Sequence, residues 1–145
     1  MFLTHLHSFM GWSLLILLFL SVITAIVRSL KCSDFKASDN ILFLGNMIVG
    51  HVQFILGIIM YFTSNKVIFS KQIMSESVIR FFVVEHPLLM ILGILMMTLG
   101  YVQTKKTQSD KSKFKKIYIF YLIALVLIIA RFPWTYLTSI GTGWF

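Results

Sequence analysis

The chain has 145 residues, 58% hydrophobic and 12% charged, with a mean hydropathy of +0.88 and a formal net charge of +8. A soluble domain needs a charged exterior that this composition cannot furnish, so the class is an integral membrane protein with little chain left for a soluble domain. The lone cysteine, Cys32, excludes an internal disulfide.

Four apolar stretches reach the roughly 20 residues needed to cross a bilayer: 2–27, 41–63, 81–102 and 117–136. The first lacks a basic n-region, is longer than an h-region of about 7 to 15 residues and runs into Arg28, so it reads as a retained helix rather than a signal peptide. It carries His5, His7 and, four residues after His7, Gly11. A polar connection with Ser33, Asp34, Ser38, Asp39 and Asn40 follows, in which Asp39 or Asn40 can cap the second helix. The second span places His51 near its middle, with Gln53 beside it. The loop 64–77 contains Val67, Ile68 and Phe69, apolar enough to dip into the interface.

The third span carries Glu85, His86 and Pro87, then Gly93 and Gly100 at seven-residue intervals from His86. Pro87 removes a backbone donor and frees a carbonyl near Val83. Met90 and Met97 in this span read as core filling. The lysine-rich segment 104–116 shows no hydrophobic period and reads as a flexible loop. In the fourth span Arg131 lies about 4 Å outward of the middle. Such a charge costs ~2.5 to 3.5 kcal/mol on insertion scales, which the apolar residues before it offset at ~0.3 to 0.6 each. It still seeks a partner, with Glu85, a haem propionate or outward snorkelling as the options. Pro133 ends or kinks that helix, and Trp134, Tyr136, Trp144 and Phe145 form an aromatic belt.

Short connections make the expected fold an all-α, four-transmembrane-helix antiparallel bundle, up-down-up-down. The first and third connections hold nine lysines and arginines against Lys66, Lys71 and Arg80 in the second. By the positive-inside rule both termini lie outside and the basic loops face the cytoplasm of a bacterial inner membrane. The positive charge then describes topology and attraction to anionic headgroups of the lipid bilayer. Nucleic acid is not an expected partner, because the basic run 111–116 lacks interleaved stacking aromatics.

Ionisable groups in hydrocarbon are kept where they have partners, so the histidines are the pointer to function. On these spans His7 lies roughly 10 Å and His86 roughly 7 Å outward of the middle, and in such a bundle the first and third helices are diagonal. Diagonal histidines at equal depth can ligate one iron from opposite faces of a porphyrin, and without a C-x-x-C-H motif the cofactor would be held non-covalently. Gly11 and Gly93 share faces with these histidines and can make room for a flat macrocycle or, equally, serve close helix packing. His5 and His7 point ~200° apart, which counts against a copper or zinc site needing three convergent ligands. Glu85, adjacent to His86, points about 100° away and can pair with Arg80, Arg131 or another histidine.

The strings Leu3-Thr4-His5-Leu6-His7-Ser8, Gly50-His51-Val52-Gln53 with Leu56-Gly57, Arg80-Phe81 leading to Glu85-His86, and Arg131 to Trp134 resemble a family of small bacterial four-helix membrane proteins known as cytochrome b-like. More distantly the chain is similar to one four-helix half of haem A synthase. It departs from the synthase in having a single bundle and no full Glu-x-x-His-Arg motif. The resemblance implies haem b, with His7 and His86 as axial metal ligands and His51 as a competing ligand. Three functions compete on these residues. They are a haem b protein of electron transfer or haem handling, a cofactor-free accessory or assembly subunit of a larger membrane complex such as a respiratory one, and a metal or proton handling protein. No catalytic motif is present, so any redox activity belongs to the cofactor.

Overall fold

A computed structural model describes residues 2–134. Among them there is no strand: the helices are α1 (Phe2–Leu30), α2 (Ala37–Thr63), α3 (Ser77–Arg80), a π-helical turn (Phe81–Glu85), α4 (His86–Lys105) and α5 (Asp110–Ala130). α3, the π-helical turn and α4 run on as one rod, Ser77–Lys105. This rod, α1 and α2 are each long and apolar enough to cross a membrane. Large side chains such as Ile16, Phe19, Ile55 and Val126 stand exposed on the outside of the helices, the reverse of a water-soluble surface.

The helix ends explain themselves locally. Ser33 N–H donates to Arg28 O at 3.1 Å and Cys32 N–H to Ser29 O at 3.3 Å, a Schellman closure of α1. Its left-handed residue is Cys32, at φ 48°, where a glycine is the usual occupant. At the start of α2 the Asp39 carboxylate accepts from Lys36 N–H at 2.8 Å, the reach-back of a capping box. Asp39 therefore acts from inside the first turn, and α2 begins at Ala37, four residues before the expected span.

Two expectations need correction. The segment 104–116 is not a long loop: α4 runs to Lys105 and α5 starts at Asp110. Ser109 and Asp110 supply a helix start that the lack of a hydrophobic period hid, and Asp110 accepts from Phe35 N–H at 2.9 Å and Lys113 Nζ at 2.8 Å. At its other end α5 stops at Ala130, three residues before Pro133, so Arg131 caps the helix rather than sitting near its middle. Proline disfavours helical backbone in the residue before it, which pulls the boundary back. The expected span to 136 and the belt residues Tyr136, Trp144 and Phe145 extend outside the described residues.

Helices are joined, both side by side and across the bundle, by polar pairs. Asn46 Nδ2 donates to Ser21 Oγ at 3.0 Å between α1 and α2, both groups being buried. Tyr101 donates to Asn40 between α4 and α2, and the buried Tyr121 hydroxyl on α5 donates to Phe43 O at 2.8 Å. Between α4 and α5 the glycines set the approach: a Cβ on Gly100 would lie 2.7 Å from Phe120 Cβ, and one on Gly93 would lie 2.9 Å from Ile128 Cγ1. Such close backbone contact is the means by which apolar helices gain packing energy without a hydrophobic driving force.

Candidate functional site

His7 stands in the second turn of α1 and His86 opens α4, and the structure brings their rings to 6.4 Å between centroids, inclined by 75°. The position of His86 is set by Pro87. Without a proline N–H the regular ladder fails, the backbone bulges into the π-helical turn, and His86 N–H donates five residues back, to Phe81 O. The Val83 carbonyl that Pro87 cannot serve accepts instead from the Tyr61 hydroxyl of α2 at 3.0 Å. Phe81 then stacks on the His86 ring at 5.8 Å and 30°.

The two imidazoles differ in what holds them. His86 Nδ1 is 2.8 Å from Arg131 O. A carbonyl only accepts, so Nδ1 carries the proton and Nε2 keeps its lone pair. Arg131 is itself gripped from the same corner: Glu85 Oε2 lies 3.1 Å from its Nε, while Glu85 Oε1 lies 2.8 Å from Arg80 Nε. Glu85 thus pairs with both arginines that sequence offered it. On His7, Nε2 is 3.4 Å from Gln53 Nε2, and that amide also donates to His7 O at 2.9 Å. His7 Nδ1 and Gln53 Oε1 are buried with no protein partner among the described residues.

Around this pair lies a cavity of about 580 Å³ with mostly apolar walls, including Gly11, Trp12, Gly57, Met90 and Phe132. That size is in the range of ligand pockets. Gly11 and Gly57 keep α1 and α2 thin on its wall: added Cβ atoms would stand 3.1 Å from Gln53 Nε2 and 3.5 Å from His7 Cε1 respectively. Gly93 does not line the cavity and faces Ile128 of α5, which makes it a packing residue. His51 is also elsewhere. Its Nδ1 is 2.8 Å from Met47 O and its Nε2 3.4 Å from Thr98 Oγ1, so both ring nitrogens are engaged within the helix layer. His5 is exposed and does not line the cavity. Gln53, Gly57 and Tyr61 recur every four residues along one face of α2, a periodicity that marks them as a wall of the cavity.

The residues fit a group that takes two nitrogen ligands. At a ring separation of 6.4 Å, His7 and His86 would be the residues to hold such a group between them. The Nε2 lone pair of His86 beside apolar walls is the chemistry such a group needs. The Gln53 amide donates to Nε2 of His7, so that ligand's lone pair is on Nε2 and its Nδ1, unpartnered among the described residues, carries the proton. Among the described residues no three His, Cys, Asp or Glu side chains converge as a metal cage would require. Compared with protein-family models, curated proteins and solved structures, the chain matches none.

Proposed function

We propose that this chain is a four-span, up-down-up-down protein of a bacterial inner membrane that holds one haem b between His7 and His86 near the outer face. Its role is electron transfer or haem handling beside other membrane respiratory subunits. The observation that carries the reading is the pair of imidazoles 6.4 Å apart at a cavity of about 580 Å³. The nine-to-three bias of basic residues supports the orientation, with termini outside.

When bound, haem supplies one-electron chemistry. The chain's part is to present Nε2 of His86 by fixing its tautomer on Arg131 O, and to offer His7 from the opposite helix. Apolar walls exclude water and so shift the balance between charge states. Glu85 offsets the charge of Arg80 and Arg131 and ties the Arg131 peptide to the ring it orients.

Absorption spectra of the purified, haem-supplemented protein test this reading. A Soret band that shifts on reduction is expected, lost in His7→Leu and His86→Leu and retained in His51→Leu. No such band, or a band that survives both substitutions, would overturn it. Unchanged respiration and complex assembly in the double variant would then leave the accessory-subunit function.

A further inference from the structure

A second recess, of about 450 Å³, lies at the opposite end of the bundle, where the start of α2 meets the end of α4. Its walls are Lys36, Ala37 and Asn40 from α2 and the turn before it, Thr104 and Lys105 from the end of α4, Thr107 from the turn after it, and Lys113 from α5 with Phe35 beside it. We propose that this basic recess binds a phosphate-bearing anion, the headgroup of an anionic phospholipid. The proposal is independent of the haem reading and uses no residue of that site.

The charge balance of the recess favours an anion. Lys113 is paired with Asp110 at 2.8 Å, but among the described residues neither Lys36 nor Lys105 has a carboxylate partner. Asp39, the nearest acid on α2, is taken by Arg28 at 3.2 Å. Lys105 Nζ donates to Asn40 Oδ1 at 3.0 Å, which leaves two further ammonium protons. Because Asn40 Oδ1 also accepts from Tyr101, the carbonyl side of that amide is saturated and its NH2 is the group left to donate. The first turn of α2 adds its positive dipole end.

Place favours a lipid over a soluble anion. The recess sits where the apolar spans end and the lysines begin, the level of headgroups. Exposed side chains run away from it along both helices, Ile41 and Ile48 on α2 and Leu99 and Val102 on α4, a surface on which acyl chains can lie. Basic pockets between helices on the cytoplasmic side are a recurrent means of binding anionic headgroups.

The test is native mass spectrometry of the full chain, released from detergent micelles containing equal dioleoylphosphatidylglycerol and dioleoylphosphatidylcholine. Preferential retention of the phosphatidylglycerol is expected, about fivefold weaker in Lys36→Gln and about a hundredfold weaker when Lys105→Gln and Lys113→Gln are added. Lys36→Gln is the safe single variant, since only the backbone of Lys36 makes a structural bond. A control removes three charges outside the recess, Lys106→Gln, Lys111→Gln and Lys115→Gln, and should change retention less than twofold. Equal retention of the two lipids, or an equal loss in the control, overturns the proposal. Excess inorganic phosphate distinguishes the source: failure to displace the lipid supports a headgroup site, whereas displacement together with protection of Lys36 from acetylation assigns the recess to free phosphate and overturns the lipid.

Discussion

The two ends of the bundle use the same helices in opposite ways. At the end formed by the close of α1 and the start of α2 and α5, the rings of Phe35, Phe43 and Phe114 lie 5.1–6.3 Å from one another, Tyr121 lies 6.2 Å from Phe43, and together they fill the space between helices. Arg28 sits over the Phe114 ring at 5.4 Å and pairs with the buried Asp39. At the end formed by the start of α1 and the close of α2, Gly11 and Gly57 leave space that side chains would fill, and histidine, glutamine and tyrosine face a cavity. One end gathers packing energy, and the other forgoes it to keep room around the two imidazoles. A protein under selection for stability alone would fill that cavity.

Four substitutions break or sharpen that contrast, and the filled end should be the more sensitive. Asp39→Ala leaves Arg28 without its buried partner and removes the acceptor of Lys36 N–H, so unfolding free energy should fall by about 3 kcal/mol, read from denaturant titration in micelles. Gly100→Ala drives a methyl toward Phe120 Cβ at 2.7 Å and the Tyr121 ring at 3.3 Å and should cost about 1 to 3 kcal/mol. In Gly57→Ala, at the open end, the methyl meets only His7 Cε1 at 3.5 Å, and the same titration should show no loss or a gain of up to about 1 kcal/mol. A comparable loss at both glycines would mean that the cavity end is packed like the other. Tyr61→Phe strips the Val83 carbonyl of its donor and should cost about 1 kcal/mol, with slower exchange protection lost first at the amides of the π-helical turn.

The smallest effect is one of pH. At the filled end Lys113, and after it the Phe35 amide, hold the Asp110 carboxyl below the usual aspartate range. A depressed carboxyl contributes stability that is complete above its unfolded value and is lost as pH falls through the folded one. Wild-type stability should therefore decline below about pH 4 more steeply than that of Asp110→Asn, in thermal melts at a series of pH values. Parallel curves would show that the Asp110 contacts do not matter to folding.

Much of the cavity end could be read residue by residue before any coordinates. Pro87 announced a free carbonyl at Val83, and the depths of His7 and His86 singled out the two rings now found 6.4 Å apart. What failed to show was anything depending on partners distant in the chain. Tyr61 gave no sign that it would serve Val83, 22 residues away. Arg131 looked like a mid-span charge because the apolar run continues past it, and only the backbone constraint of Pro133 moves it to a helix end. Gly93 shares its sequence spacing with His86, yet the packing of α5 claims it. Lysine density over 104–116 concealed the start of α5, since a helix that extends beyond the bilayer has no apolar face to advertise it.

Sequence by itself determined the class of protein, the position of three long apolar helices and the short list of polar side chains buried among them. These follow from length and transfer energy, which are sums over residues and need no knowledge of neighbours. Tertiary structure alone decided which histidines meet and which are spent on structure. A helix that is apolar on every side carries no pattern saying which face turns inward, so the choice between His7 with His86 and His51 with Thr98 rests on the rotation each helix takes up in the packed bundle.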